Sequence, residues 1–192
     1  MEQTLSLGCL VMAAGSGRRF GGNKLAAELD GKTLIRRALE AVPGARFSAV
    51  TVVSQYEDIE ELAGQFGFAA IHNDRPDLGL SHTIRLGTEA MRTCDGILYM
   101  VADQPKLCQE TVARIVEVFC QHPDRIVGAG HEGRRGNPNL FPARFFEELM
   151  ALSGDHGGSS VIRAHEGALL LVETDAEELF DCDTQEALES LT

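Results

Sequence analysis

Val11-Met12-Ala13-Ala14-Gly15-Ser16-Gly17-Arg18-Arg19-Phe20-Gly21-Gly22-Asn23-Lys24 carries an apolar run directly into a loop of glycines and cations. The apolar part, counted from Leu7 to Ala14, reads as a buried strand, and the small residues that end it let backbone approach a phosphate closely. Arg18, Arg19 and Lys24 supply positive charge, and no acidic residue interrupts the chain between Glu2 and Glu28. The whole protein has a formal net charge of −12, so this positive run is local and placed. It points to a polyphosphate ligand. The alternative, a solvated glycine–arginine turn, seldom follows a buried strand so directly.

Two familiar phosphate motifs are excluded. The dinucleotide fingerprint G-x-G-x-x-G fails because Phe20 stands where its third glycine belongs. The Walker loop G-x-x-x-x-G-K-[ST] fails because Asn23 follows Gly22, with Lys24 one place late. Neither dehydrogenase nor P-loop chemistry is indicated.

With 192 residues, 44% hydrophobic and 24% charged, the chain reads as a single globular domain over residues 1–192. Its acidity argues against nucleic acid as a partner. Much of the acid excess lies in 173–192, which reads as a solvated acidic helix. Five cysteines form no C-x-x-C pair, and Cys9, Cys108 and Cys120 sit in apolar sequence settings. Reduced thiols, no signal peptide and no apolar stretch of membrane-spanning length together give a cytoplasmic, membrane-free expectation. Without heptads or a large apolar stripe, a monomer is expected.

Strand and helix patterns alternate along the chain. Strands are expected at 7–14, 47–53, 68–71, 96–102, 125–129 and 168–172. Helical spacing marks 33–42, the run holding Ile59, Leu62, Ala63 and Phe66, the run from Leu80 to Met91, the run around Val112 to Phe119, 145–152, 159–164 and 184–191. The polar, glycine-rich segments 130–139 and 154–158 read as loops. Such alternation predicts an α/β fold, one three-layer α/β/α domain around a mostly parallel, mixed sheet.

Ligands of open parallel sheets sit beyond the carboxyl ends of the strands. The first strand ends at Gly15 and the clearest buried strand ends at Ala102 and Asp103, so loop and carboxylate can share one crevice. A carboxylate beside a polyphosphate is repelled unless a divalent cation separates them, and Mg²⁺ uses one or two carboxylates plus phosphate oxygens. Asp103 is therefore a candidate metal ligand. Asp183, in Asp181-Cys182-Asp183-Thr184, is either a second ligand or the N-cap of the terminal helix. The histidines lack metal-site spacing. His82 and His156 lie in polar loops framing the crevice and are candidates for substrate contact.

Assembled in order, these segments resemble the MobA-like nucleotidyltransferases, and most closely the molybdenum cofactor cytidylyltransferases of that family. Their opening L-A-A-G-x-S-x-R-M-G-x-x-K is similar to 12–24 here, with Gly17 in place of a serine and Phe20 in place of a methionine. Asn73 with Gly79-Leu80-Ser81-His82-Thr83-Ile84-Arg85-Leu86-Gly87 is similar to the family's base-proximal segment. Asp103-Gln104-Pro105 matches its metal-binding D-Q-P. Gly136-Asn137-Pro138-Asn139-Leu140-Phe141, Gly154-Asp155-His156-Gly157 and Asp181-Cys182-Asp183-Thr184-Gln185-Glu186 resemble three later family motifs.

The resemblance implies a Rossmann-like nucleotide-diphospho-sugar transferase fold. It also implies transfer of CMP from CTP onto the phosphate of a molybdopterin-type cofactor, with release of pyrophosphate. Lys24, Arg19 and Asp103 are the expected catalytic residues. Nucleotide and acceptor contacts are expected from Ala13, Ala14, Gly15, Ser16, Gly17, Asn73, Gly79, Ser81, Thr83, Asn137, Gly154 and Asp155. Asp103 and Asp183 would hold Mg²⁺, with Mn²⁺ as a substitute. The implied partners are the NTP, the cofactor, and the recipient molybdenum hydroxylase or its chaperone. Guanylyl transfer, a sugar- or alcohol-phosphate acceptor, and a non-catalytic cofactor carrier are the alternatives.

Overall fold

Among the described residues, seven strands form the sheet on which the molecule is built. The structure, a computed structural model, describes residues 4–15, 17 and 20–191. In chain order its elements are β1 (Leu7–Ala13), the short hairpin β2 (Glu28–Leu29) and β3 (Lys32–Thr33), α1 (Leu34–Glu40), β4 (Ala49–Ser54), α2 (Glu57–Gln65), β5 (Ala69–His72), α3 (Leu80–Ala90), β6 (Gly96–Val101), α4 (Gln109–Gln121), β7 (Ile126–His131), β8 (Arg134–Pro142), α5 (Phe146–Met150), α6 (Gly158–Ala164), β9 (Leu169–Glu173) and α7 (Gln185–Glu189). No described helix is long and apolar enough to cross a membrane.

β1 explains why the sheet is covered on both faces. Leu7, Cys9, Val11 and Ala13 point into a core shared with α1, α2 and α4, while Leu10 points into a second core with Ile84 of α3, Leu149 of α5 and Ile162 of α6. A strand apolar on both faces must be roofed by helices on both sides. The outcome is the expected three-layer α/β/α architecture. β1 pairs in parallel with β4 and β6, β4 with β5, and β7 with β9. β8 runs antiparallel to both β6 and β7, which makes the sheet mixed.

β8 corrects the sequence reading. The segment 130–139 is not a loop: its start completes β7, and Arg134–Pro142 is a nine-residue strand. Glu132 and Gly133 both take positive φ (48° and 77°), the conformation of a tight hairpin turn matched to strand twist. Polar side chains suggested a loop because the first part of this strand lines a cavity, and only its end, with Leu140 and Phe141, enters the core.

The acidic C-terminal region is also not one solvated helix. Residues 169–173 are β9, Ala176–Leu179 is a 3-10 turn, and only Gln185–Glu189 is α-helical. Thr184 is the N-cap of α7, its hydroxyl accepting from the Ala187 N–H at 3.1 Å. Asp183 therefore does not cap that helix. Cys120 is exposed, contrary to its apolar sequence setting, whereas Cys9 and Cys182 are buried and all five cysteines are free thiols.

Glu178 fixes the path of this C-terminal region. Its carboxylate accepts from the Cys108 N–H (3.1 Å) at the start of α4, from Thr111 Oγ1 (2.9 Å) and from Thr174 Oγ1 (2.7 Å). The orphan amides of a helix start favour such an anion. Burial opposes the charge, but these hydrogen bonds outweigh it and lower the Glu178 pKa below the ordinary glutamate value. A depressed carboxylate contributes stability above its unfolded pKa and loses it as pH falls through the folded one. Glu178→Gln should therefore lower the urea midpoint at pH 7, and the gap from wild type should narrow as the pH is taken below the ordinary glutamate pKa.

Candidate functional site

The site forms where β1 and β6 leave the sheet. Met12 stands opposite Val101 in their parallel register, so Ala14 and Gly15 emerge beside Ala102 and Asp103. The end of β4 then grips the emerging loop. Ser54 Oγ donates to the Ala13 carbonyl (3.1 Å), Gln55 Nε2 to that of Ala14 (2.8 Å) and Tyr56 OH to that of Gly15 (3.3 Å). In a trans peptide the N–H points opposite to the C=O. Tying the Ala14 carbonyl toward β4 thus turns the Gly15 amide away from it.

Further along, the loop turns on Gly17, at φ +57°. The Phe20 N–H donates to its carbonyl at 2.8 Å, and a Cβ on Gly17 would lie 1.9 Å from the Gly22 oxygen. No serine fits that turn, which accounts physically for the glycine at this position. Ser16 and Arg19, both expected in the site, lie outside the described residues, as does Arg18.

Lys24 opens a 3-10 turn that Asn23 caps by accepting from the Leu25 N–H at 3.1 Å, while Leu25 is buried as the anchor. This aims Lys24 Nζ at Asp103 Oδ2 (2.5 Å) and Asp183 Oδ1 (3.2 Å). Burial works against the lysine's charge, yet the two carboxylates outweigh it and raise its pKa above the ordinary value. The C-terminal region reaches the same place because the Cys182 N–H donates to the Asp103 carbonyl at 2.9 Å. Burial and then the Asp103 carboxylate push the pKa of neighbouring Asp181 up to about 6. One ammonium thus faces a crowd of carboxylates.

The other Asp103 oxygen, Oδ1, is buried with no hydrogen-bond partner. An orphaned buried acceptor is costly unless a ligand meets it, and a divalent cation is such a ligand. Among the described residues no cluster of three or more His, Cys, Asp or Glu side chains is placed to hold a metal ion. The donor set instead suits an ion such as Mg²⁺ that takes one or two carboxylates and draws its remaining ligands from phosphate and water.

Two cavities meet at this edge of the sheet. The first, about 510 Å³, is lined by Ala14, Gly15, Lys24, Gly79, Thr83 and Asp103, among others. The second, about 530 Å³, is lined by Gln104, Arg134, Arg135, Asn137, Ser159 and Asp181 with apolar neighbours. Met12, Leu80, Val101 and Asp155 border both cavities. A ligand in one can therefore approach a ligand in the other.

Not every expected contact residue faces these spaces. Asn137 borders the second cavity and Asp155 both, but Ala13, Gly17, Asn73, Ser81 and Gly154 border neither. Asn73 is buried and committed to the fold: its Nδ2 donates to Thr83 Oγ1 at 3.2 Å and its Oδ1 accepts from the Arg75 N–H at 3.0 Å. Ser81 donates its amide to the Gly154 carbonyl at 3.0 Å. Gly79, at φ +83°, lies so close to this loop that a Cβ would come within 2.5 Å of the Gly154 carbonyl carbon. These residues position Thr83 and Asp155. Neither His82 nor His156 lines either cavity.

The sequence reading missed Arg134, Arg135 and His131 in the second cavity, and the Ser54-Gln55-Tyr56 grip on the loop. A signal for the former existed. Arg135, Asn137, Asn139 and Phe141 alternate on one face of β8, and all four line the second cavity.

This geometry has counterparts among known proteins. The family described as the MobA-like NTP transferase domain matches residues 9–169 of this chain. The purine catabolism protein PucB of Bacillus subtilis is 29% identical over 188 residues, covering 91% of this chain and 90% of its own. A probable molybdenum cofactor guanylyltransferase of Pyrococcus horikoshii is 28% identical over 112 residues, 57% of this chain and 54% of its own. In three dimensions a nucleotidyl transferase from Methanothermobacter superposes with a TM-score of 0.80 at 23% identity, over 97% of this chain and 95% of its own. Strand-tip carboxylate, cationic loop and paired cavities thus coincide with a family match over most of the sequence: the chain belongs to the MobA-like NTP transferases.

Proposed function

We propose that the protein transfers CMP from CTP onto the terminal phosphate of a molybdopterin-type cofactor and releases pyrophosphate. The observation that carries this reading is the position of Lys24 and Asp103, joined at 2.5 Å beside two communicating cavities. One cavity suits a nucleotide and the other an acceptor. The molybdenum acceptor is supported by the Pyrococcus relative's printed description, and the cytidine by the resemblance of Ala13-Ala14-Gly15 to the cytidylyl pattern.

In this mechanism the triphosphate would lie in the first cavity against the loop that begins at Gly15, as successive backbone amides of such a turn can cradle an anion. The base sits toward Gly79, Leu80 and Thr83. An acceptor phosphate oxygen attacks the α-phosphorus in line, a new P–O bond forms, and the bond to the β-phosphate oxygen breaks. Pyrophosphate carries away the electron pair. The nucleophile is already an anion, so no general base is needed. Positioning and charge neutralisation therefore dominate catalysis.

Lys24 would neutralise charge growing on the α-phosphate, and Arg19, from outside the described residues, the charge on the leaving pyrophosphate. Asp103 and Asp183 would hold Mg²⁺, or Mn²⁺ in its place, whose charge would clamp the phosphate oxygens. To contribute to phosphate neutralisation, Lys24 must exchange part of its bond with Asp103 for a phosphate oxygen. The orphaned Asp103 Oδ1 supports a metal ligand there.

The decisive measurement is pyrophosphate release with each NTP in turn, with and without molybdenum cofactor. CTP together with the cofactor should give the highest turnover. Turnover with GTP instead, or with a sugar phosphate instead of the cofactor, would move the assignment to that alternative, and binding without turnover would make the protein a carrier. Replacing Lys24 by Ala, or Asp103 by Ala, should each cost about 10²-fold or more in kcat, as expected for a group acting on transition-state charge. Full Mg²⁺-dependent turnover by Asp103→Ala would overturn the metal assignment.

A further inference from the structure

The second cavity contains a cation with nothing to pair with. Arg135 is half-buried near the start of β8, and its Nη1 is buried without a hydrogen-bond partner. Two carboxylates, Asp155 and Asp181, line the same cavity, yet Arg135 forms an ion pair with neither. Asp181 instead sits with Gln104 and the Asp103 group. Buried guanidinium hydrogens normally find an acceptor, because leaving one unmet forfeits the full cost of its desolvation.

The backbone that carries Arg135 is fixed by its neighbours. The hairpin register sets it opposite Gly130. The adjacent Gly136 packs against Leu179 of the C-terminal region, whose side chain would lie 2.9 Å from a Cβ there. Asn139 Nδ2 donates to the Gly136 carbonyl at 2.9 Å and to Asn137 Oδ1 at 3.1 Å, which fixes the strand just beyond. His131 and Arg134 also border the cavity. His131 Nδ1 lies 2.8 Å from the Thr174 carbonyl oxygen, so it is already engaged. Arg135 is the cavity's buried, uncommitted donor.

We propose that Arg135 is the acceptor-recognition residue of this enzyme. It binds the phosphomonoester group of the acceptor in the second cavity, with Arg134 adding charge at the rim. A guanidinium matches phosphate oxygens in a two-pronged geometry that an ammonium cannot supply. Chemistry at the strand tips requires the same group. A phosphomonoester brought toward a triphosphate and the carboxylates of Asp103 and Asp181 meets like charge on every side, and a cation on the acceptor's side offsets that repulsion. The site would therefore select phosphate-bearing acceptors over neutral alcohols. This assignment rests on the nucleotidyl-transfer reading for its purpose, but anion binding at Arg135 can be measured independently of it.

The test uses ¹⁵N-labelled full-length protein and inorganic phosphate as the probe, followed through the arginine Nε–Hε resonances. The Arg135 signal is assigned by its disappearance in Arg135→Lys. It should shift saturably with phosphate, both with and without CTP occupying the first cavity. In Arg135→Ala, the acceptor KM for pyrophosphate release should rise about tenfold or more, as for loss of a charge-assisted hydrogen bond, while the KM for CTP stays within about twofold. Arg135→Lys should restore only part of the acceptor affinity. An Arg135 signal that stays still while other arginine signals move would overturn the proposal, as would an unchanged acceptor KM in Arg135→Ala. Failure of nucleotidyl transfer itself would show as absent pyrophosphate release in wild type, whatever the Arg135 resonance does.

Discussion

The ion pair between Lys24 and Asp103, 2.5 Å apart, is the interaction around which the carboxyl edge of the sheet is organised. It requires that β1 and β6 be neighbours and parallel, so that both chains leave the sheet on the same side. It requires a loop long enough to bring Lys24 back over the strand ends, and Gly17 provides its turn. It also requires the C-terminal region to return, since the Cys182 amide holds the Asp103 carbonyl and Asp183 shares the ammonium. Three stretches far apart in sequence therefore meet on one side chain. Partial burial of Lys24 and Asp103 gives the pair more weight than an exposed ion pair would have, because solvent screens it less.

The pair does not satisfy all the charge it gathers. Asp103 keeps one oxygen without a partner, and burial together with Asp103 displaces the Asp181 pKa upward. A site optimised only for stability would have paired or removed these groups. Unspent polar capacity of this kind concentrates where ligands act. Asp103 Oδ1 lies beside the first cavity, and Arg135 Nη1 beside the second, where Gln104 Oε1 and Asn139 Oδ1 are unpartnered as well. The second cavity thus offers a cationic donor for an anion together with acceptors for a ligand's own N–H or O–H groups.

The parallel half of the sheet was legible in the sequence because its strands are apolar on both faces, and β1, β4 and β6 lie close to where their runs of Val, Leu and Ile place them. Lys24 and Asp103 were legible for a related reason: each follows the end of such a run. β8 was not. Its Arg135-x-Asn137-x-Asn139 half is polar because it lines a cavity, and a strand that faces a ligand lacks the alternating apolar signal by which strands are recognised. The C-terminal region was misread because acidic density suggested solvent, whereas Glu178 accepts three hydrogen bonds, two from the start of α4 and one from Thr174 just past β9. Asn73 is a different case. Its motif position suggested ligand contact, whereas in the structure its amide bonds Thr83 Oγ1 and the Arg75 N–H. A motif marks where a residue matters, and only the hydrogen-bond accounting shows whether it touches ligand or holds the group that does.

A protein with net charge −12 that handles polyphosphates must overcome its own field. At physiological ionic strength charges are screened over about 8 Å, so exposed acids farther than that from the strand tips contribute little there. What acts there is the short-range set, in which Lys24 is held between Asp103 and Asp183 while Arg135 Nη1 has no hydrogen-bond partner. The two cations differ in what they give up on binding. On the proposed reading Lys24 would exchange carboxylate contacts for phosphate, so its gain on binding would be a difference between two strong interactions. Arg135 has no protein partner to give up at its buried Nη1. On the proposed reading an incoming anion would displace only water from this guanidinium, so the second cavity would be where recognition costs least and the first where charge is redistributed.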